Sequence, residues 1–477
     1  MPTRKLDKSL MQEEKKWKIV FLIYSDLRDF PLETEVFNLP DDVSRKGSES
    51  NALNELISLF QSLKQLPLID NLDVYIIYNR IRIHKSSVID DHTYLLRLIA
   101  PTNEKRYTIL KEYSNGNLFQ KPQSLSEVLL DLNKLCNTEH NIIITWDHGS
   151  IFGIFKELSP DALTEERKLN KVIKQESSIL LERLPYNKFL DSKTLARDYF
   201  QDVPTQEASM PFKDILSVDE FSKALTLSYG KKHVDIIVMM NCLMQNVFTC
   251  DSLKDNCDYI IAPMGSFTVP GYSYKLIAET LAQNSKIPIR DLAELIPRSA
   301  TTDLRVDSRI SSRWAIFIVQ TLHFRKYLEL INDTANEILK QIKKAEEDKR
   351  KIVIFLQDLR AGELHYFDDE FYMVDFEELL CKVTEKFPEI FSLLFQRLSA
   401  LKPQLILPER FIGSSFGDGF KPSGLTILFP RNLTKFINDE DAYLAFFKEY
   451  RTHYLQFKKR TKWINLLETL EQIPAYT

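Results

Sequence analysis

Glycine is scarce in this sequence, with 12 glycines among 477 residues, whereas roughly 7% is usual in proteins. No segment has the G-x-x-x-x-G-K-[ST] spacing of a phosphate-binding loop. The nearest approach to G-x-G-x-x-G is Gly417-Asp418-Gly419, which has Pro422 at the third glycine position. These absences argue against a P-loop and against a Rossmann dinucleotide site.

Cysteine is also sparse, and its spacing is uninformative for metal binding. The five cysteines are widely separated, and no C-x-x-C pair is present. That pattern excludes a disulfide-stapled scaffold and gives no structural zinc motif. We therefore expect no metal and no other cofactor.

Long apolar runs and an excess of basic charge are both lacking. No stretch of about 20 apolar residues could span a bilayer, and the charged N-terminal segment has no apolar signal-peptide core. The formal net charge is -4, so no global positive field would attract nucleic acid or an anionic membrane. We expect a cytoplasmic protein that binds neither nucleic acid nor membrane.

Short apolar runs rich in β-branched and aromatic residues are present, and such runs are typical of strands buried on both faces. Apolar residues at helical spacing occupy 52–63 and 124–135, and the second segment begins with a Ser124/Glu127 capping pattern. The alternation predicts an α/β fold with a mostly parallel sheet sandwiched by helices. The predicted strands are 18–24, 72–78, 141–145 and 234–240, with a hairpin from 94–99 and 106–110.

The domain organisation follows from changes in composition along the chain. Residues 1–16 form a charged leader, and residues 17–320 contain the predicted sheet. A polar, charged insertion interrupts this domain at about 155–212. Residues 321–477 are predicted to be a C-terminal α/β extension, mostly helical, with an added strand near 425–429.

Two candidate catalytic residues each follow a predicted strand. His148 and Gly149 come after the strand at 141–145, and Cys242 follows the strand at 234–240. Sites in open α/β sheets form at the carboxyl ends of strands, where loops converge. A thiol beside an imidazole can carry out nucleophilic acyl transfer. The amides of Gly149 and Cys242 could then hold an oxyanion, and a helix after Cys242 could direct its positive end at the thiolate.

A simpler interpretation stays open for each residue taken alone. A buried cysteine is most often a small hydrophobe, and a His-Gly pair at a strand end can be an ordinary turn. The matched placement of the two at strand ends favours catalysis.

The motifs around these residues resemble the clostripain-type cysteine peptidases, relatives of caspases and gingipains. The opening strand at 17–24, the Trp146-Asp-His148-Gly149-Ser150 segment and the Asn241-Cys242-Leu-Met244 segment carry the resemblance, together with 258–262, 270–274 and 423–430. The resemblance implies a caspase-like sheet, a His148/Cys242 dyad and a protein or peptide substrate. A calcium ion is implied only by the resemblance, because some relatives use calcium.

One departure from the family pattern bears on specificity. Relatives that cleave after Arg or Lys carry Asp two positions before the nucleophile, where this sequence has Met240. We expect Met240, Ser266 and Thr268 to line the substrate pocket. A cationic side chain would be buried there without a counter-charge, so the sequence predicts a cysteine endopeptidase that is not specific for Arg or Lys.

Three further possibilities remain from the sequence. The chain could be an inactive relative that binds peptides or proteins in the same cleft, or another Cys-His acyl-transfer enzyme such as an amidase or transpeptidase. It could also be a zymogen, because the insertion separates the two candidate catalytic residues. Its partners would then include an activating protease or a regulatory protein.

Overall fold

The computed structural model describes seventeen stretches of the chain. The leader at 1–16, the predicted helix at 52–63 and the insertion at 155–212 lie outside them. The described residues are 17–26, 72–84, 87–102, 105–113, 121–136, 138–146, 149–150, 153–154, 216–230, 232–265, 272–300, 315–344, 346–367, 373–407, 412–413, 420–430 and 455–473.

Strands form where the sequence has its short apolar runs. Each predicted strand is present, and the hairpin strands are longer than predicted. The strands are β1 Trp17–Asp26, β2 Leu72–His84, β3 Ser87–Thr102, β4 Lys105–Tyr113, β5 His140–Trp146, β6 Gly149–Ser150, β7 Gly153–Ile154, β8 Leu216–Ser217, β9 Val234–Met239, β10 Cys257–Pro263, β11 Ala315–Gln320, β12 Met373–Asp375, β13 Ile412–Gly413 and β14 Thr426–Leu428.

Nine of these strands form one sheet, in the order β13-β11-β10-β9-β5-β1-β2-β3-β4. The central strands β10, β9, β5, β1 and β2 run parallel to one another. Antiparallel strands extend the sheet on both sides, with β11 and β13 beyond β10 and with β3 and β4 beyond β2. The predicted hairpin is therefore an edge of the main sheet.

The central strands are buried on both faces because alternate side chains enter two different cores. Along β1, Val20 and Leu22 belong to one core cluster, whereas Ile19 and Phe21 belong to the other. This period of two is the side-chain geometry of any strand. Helices cover both faces, as expected for a largely parallel sheet.

Eleven α-helices lie in the described stretches. The helices Tyr274–Gln283 and Ile289–Arg298 contribute to the core on one face, and the others contribute to the core on the opposite face. They are α1 Pro122–Leu135, α2 Val218–Tyr229, α3 Val247–Leu253, α4 Tyr274–Gln283, α5 Ile289–Arg298, α6 Phe324–Ile342, α7 Glu346–Asp358, α8 Phe376–Lys386, α9 Pro388–Leu405, α10 Leu455–Arg460 and α11 Trp463–Gln472.

The start of one helix differs from the prediction. Helix α1 begins at Pro122 and not at Ser124, and no side chain caps it. Proline is well suited to the first helical position because it has no N–H that needs a partner. The capping box belongs to α2, where the Ser217 side chain accepts from the Glu220 N–H and the Glu220 carboxylate accepts from the Ser217 N–H.

The strand predicted near 425–429 is present as β14, but it does not join the main sheet. It pairs in antiparallel fashion with β12. A single parallel bridge connects it to the segment after β9, between Thr426 and Asn246. The C-terminal residues therefore reach the loop that carries Cys242. The proposed division into domains stays a prediction.

Candidate active site

The two strands that precede the candidate catalytic residues are neighbours in the sheet. Strands β5 and β9 run parallel, and Thr145 is the register partner of Met239. The pairing continues one residue further, because the Met240 N–H donates to the Thr145 carbonyl at 2.9 Å. Parallel strands end at the same edge, so the segments that follow β5 and β9 leave the sheet side by side.

Gly149 lies directly against the peptide backbone of Cys242. A Cβ atom at position 149 would lie 2.5 Å from the Cys242 carbonyl oxygen and 2.8 Å from the Cys242 nitrogen. Both distances are too short for any side chain, so glycine is needed for this close approach. His148 lies outside the described residues. Gly149, the next residue in the sequence, nevertheless lies beside the segment that contains Cys242.

Cys242 occupies a turn between β9 and α3 and is half-buried. The next residue, Leu243, has a φ angle of 64°. A non-glycine residue with positive φ is strained, typically by about 1–3 kcal/mol, and persists only where its surroundings hold it. Such strain is often found at functional sites.

The other four cysteines have properties unsuited to nucleophilic attack. Cys136, Cys250 and Cys257 are buried, and burial raises the pKa of each thiol, to about 11 for Cys136. Cys381 is half-buried, and burial together with nearby Glu385 raises its pKa. Since the thiolate is the reactive form, Cys242 is the cysteine whose placement best suits nucleophilic chemistry.

Buried polar side chains fix the segment around Cys242. Asn241 is completely buried, and its Oδ1 atom accepts a hydrogen bond from the Thr145 hydroxyl at 2.5 Å. The Leu243 N–H donates to the Gly265 carbonyl at 3.1 Å, and the Leu243 carbonyl accepts from Asn246 Nδ2 at 2.7 Å. Partners from β5, from the segment after β10 and from the turn itself therefore hold the residues on both sides of Cys242.

The helix that follows Cys242 begins five residues after it and has its own side-chain cap. Helix α3 starts at Val247, and the Asn246 side chain caps it by accepting from the N–H groups of Phe248 and Thr249. These amides are already occupied, and the turn at Leu243 separates them from Cys242. The expectation that this helix directs its positive end at the thiolate stays a prediction.

Of the three predicted pocket residues, only Met240 is described. It is 6% exposed and belongs to the core cluster that also contains Tyr272. Ser266 and Thr268 lie outside the described residues. Their place in a substrate pocket stays a prediction.

Several residues that hold the site were missed from the sequence. They are Thr145, Asn241, Gln245 and Asn246 beside the two candidate segments, and Gly424 and Thr426 far away in the chain. The side-chain amides of Asn241, Gln245 and Asn246 could have been noticed, because buried polar side chains rarely interrupt an apolar stretch without hydrogen-bond partners. The segment 423–430 was named only for its resemblance to the family, and nothing local indicates that Gly424 or Thr426 contacts the cysteine turn.

The described residues contain no cluster of three or more His, Cys, Asp or Glu side chains suited to a metal ion. None of the helices in these stretches combines the length and the apolar character needed to cross a bilayer.

Comparison with solved structures shows the fold. An inactive zymogen C11 protease from Parabacteroides distasonis is 12% identical with a TM-score of 0.53, and the match covers 91% of this chain and 99% of that one. A secreted C11 cysteine protease from Bacteroides thetaiotaomicron, iotapain, is 14% identical with a TM-score of 0.52 and the same coverage.

A secreted C11 cysteine protease from Bacteroides thetaiotaomicron in complex with an irreversible peptide inhibitor has a TM-score of 0.54 at 12% identity, covering 94% of this chain and 99% of that one. These likenesses confirm the predicted caspase-like α/β architecture. No curated protein sequence matches the chain.

The sequence itself matches a family model over residues 209–469, more than half of its length. The matched region includes Cys242, the turn that follows it and strand β14. The model describes the clostripain family, peptidase family C11. The chain belongs to the clostripain family of cysteine peptidases.

Proposed function

We propose that this chain is a cysteine endopeptidase in which Cys242 is the nucleophile and His148 is the general base and then the general acid. The observation that carries the proposal is the contact of Gly149 with the Cys242 backbone, at the distances given above. Consecutive Cα atoms are about 3.8 Å apart. Because His148 directly precedes Gly149 in the sequence, this contact supports the pairing of His148 with Cys242.

The reaction follows from the chemistry of a thiol and an imidazole. The Cys242 sulfur, having lost its proton to His148, attacks the scissile carbonyl carbon and forms a tetrahedral intermediate. The N–H groups of Gly149 and Cys242 would stabilise its oxyanion. His148 then returns the proton to the leaving amine as the peptide bond breaks. Water hydrolyses the resulting thioester, releases the acid product and regenerates the thiol.

The residue preferred before the scissile bond is expected to be neutral. Met240 offers no carboxylate to a cationic side chain, and it lies among apolar residues. A Lys or Arg side chain would lose its hydration there without gaining a partner, which costs several kcal/mol. An apolar or uncharged polar side chain would lose far less.

The partners proposed for the chain are a protein or peptide substrate and, if it is made as a zymogen, an activating protease or a regulatory protein. The expected cytoplasmic location stays a prediction, and the solved relatives include proteases described as secreted.

The proposal is tested with peptide libraries and a thiol alkylating agent on the full chain. We expect cleavage in water without an added amine, and fastest alkylation by iodoacetamide at Cys242. Cys242→Ala and His148→Ala should each lower turnover by on the order of 10³-fold or more, and the double variant should lose little beyond either one, because the two residues act as a unit.

Cys381→Ala is the matched control, since Cys381 is the other half-buried cysteine and should be dispensable. Rapid alkylation of Cys242 without peptide cleavage would favour a peptide-binding relative. Cleavage only with an added amine would favour a transpeptidase. Full activity of Cys242→Ala would refute the assignment.

A further inference from the structure

The turn that carries Cys242 is held by a residue three positions further along the chain. Gln245 is completely buried. Its backbone N–H donates to the Pro263 carbonyl at 2.9 Å, which attaches it to the end of β10. This hydrogen bond attaches the end of the cysteine turn to the strand that neighbours β9 in the sheet.

Gln245 also connects the turn to the C-terminal part of the chain. Its carbonyl accepts hydrogen bonds from both the N–H and the hydroxyl of Thr426, each at 3.1 Å. Its side-chain Nε2 donates to the Gly424 carbonyl at 3.0 Å. Three hydrogen bonds thus join one residue of the cysteine turn to strand β14 and to Gly424, which lies two positions before the strand begins.

The contact with Gly424 uses the Nε2 donor of the Gln245 side-chain amide. Among the described residues, no group donates to its buried Oε1 atom, whereas Nε2 has the Gly424 carbonyl as its acceptor. Gly424 has a φ angle of 129°, a conformation that side chains rarely allow. A glycine at this position presents its carbonyl to a buried amide donor.

We propose that Gln245 is a positioning residue for Cys242, fixing the strained turn at Leu243 through its hydrogen bonds to Gly424 and Thr426. The inference rests on the proposed nucleophilic role of Cys242. Displacing a reacting group by about 1 Å can cost about 10²-fold in rate. A turn that contains a residue with positive φ would relax when its external partners are lost.

The test compares Gln245→Met with a matched control, Gln341→Met. Both variants replace a buried glutamine by an apolar side chain of similar length. Gln341 lies on α6, where it is 5% exposed and its Nε2 donates to Glu337. The measurements are kcat and KM on a cleaved peptide, the rate of Cys242 alkylation from pH 5 to 10, and the thermal midpoint.

We expect Gln245→Met to lower kcat by about tenfold or more with a smaller change in KM, as misplacement of a reacting group predicts. It should also lower the alkylation rate of Cys242 or displace its pH profile. Gln341→Met should leave both unchanged even if the two variants lose similar thermal stability. Equal behaviour of the two variants in kcat and alkylation would overturn the inference.

A second pair of variants applies if Gln245→Met does not fold. Thr426→Val removes the hydroxyl bond and keeps the backbone bond, so a partial loss is expected, whereas Thr426→Ser should retain the wild-type values. Wild-type behaviour of Thr426→Val would then count against the inference. Alkylation does not require peptide cleavage, so a failure of the proposed function, seen as an active Cys242→Ala variant, remains distinguishable.

Discussion

The Thr145 hydroxyl donates a 2.5 Å hydrogen bond to the side-chain oxygen of Asn241, and both residues are completely buried. Thr145 is on the strand that leads to His148, and Asn241 immediately precedes Cys242. The bond therefore connects the two segments that supply the proposed dyad. It does so beneath the site, where water does not compete.

Replacing Thr145 by valine keeps the shape of the side chain and removes the hydroxyl. Taking one donor from a buried acceptor costs about 1–3 kcal/mol, so the free energy of unfolding should fall by that amount. We also expect kcat to fall, because the Asn241-Cys242 peptide loses a support. Urea denaturation and peptidase kinetics measure the two effects.

Thr145→Ser is the control for this change. It retains the hydroxyl and loses only a buried methyl group, which costs about 1 kcal/mol. Kinetics close to wild type are expected for the serine variant. If the valine variant also turned over substrate at the wild-type rate, the bond would have no bearing on catalysis.

Adding a carboxylate at position 240 should change specificity. Met240→Asp would supply the counter-charge that a cationic side chain lacks, so kcat/KM for Arg or Lys relative to a neutral residue should rise by about tenfold or more. Peptides that differ only at the residue before the scissile bond provide the measurement.

Met240→Asn separates charge from polarity at the same position. It should lose stability to a similar extent, because Met240 is 6% exposed, but it should gain no preference for Arg. Strong cleavage after Arg by the wild-type chain would contradict the argument from Met240.

Cleavage within the insertion at 155–212 should leave both halves of the protein together. Strand β7 pairs with β8, so the residues that border the insertion are adjacent, and Ile154 and Leu216 are fully buried there. The pairing of β5 with β9 also joins the two halves. After cleavage we expect one peak in size-exclusion chromatography and a rise in activity, as for a zymogen.

A recognition sequence for a site-specific protease, inserted near residue 185, would allow this cut to be made cleanly. The chain without that sequence, treated with the same protease, is the control. Equal activity before and after the cut would refute activation by cleavage.

The stability of the C-terminal part should depend on Asp375. This carboxylate caps α8 and accepts from the Ser423 N–H, and burial raises its pKa to about 6, above its ordinary value. The folded state therefore retains a proton that the unfolded chain has lost. The stabilisation is complete below about pH 4 and is lost as the pH rises through 6, by at most about 1.4 kcal/mol per pH unit.

The measurement is the difference in unfolding free energy between the wild type and Asp375→Asn from pH 4 to 8. The difference should fall from pH 4 to about 6 and then become constant. Asp333→Asn, which removes a half-exposed carboxylate paired with Arg397, reports the effect of losing a surface charge. A flat difference for Asp375→Asn would disprove the linkage.

The sheet was predictable from the sequence because its central strands are short apolar runs with clear ends. The burial of Lys18 could not be predicted in the same way, although Lys18 is the first residue of the first predicted strand. Its side chain is 2% exposed and donates to Asn133 Oδ1 at 2.7 Å, and burial lowers its pKa to about 8. Only the position of α1, packed against the strand, provides that acceptor.

The candidate site was predictable in part, for a similar reason. His148, Gly149 and Cys242 follow strands whose ends can be located locally, whereas the supports of the turn come from distant segments. The wrong start of α1 has a different cause, because two local signals competed there and Pro122 at the first helical position, not the Ser-x-x-Glu pattern, marks the start. Residues joined across the chain carry no local signal.

The long separation in sequence between Gln245 and Thr426 also has a consequence during synthesis of the chain. Thr426 lies 181 positions after Gln245, so a nascent chain has already exposed Cys242 long before residue 426 leaves the ribosome. Folding proceeds from the N-terminus as the chain emerges, yet the cysteine turn acquires its bonds to Gly424 and Thr426 only after these distant residues have emerged. The proposed nucleophile would thus gain full reactivity only after the 181 positions between Gln245 and Thr426 have been translated.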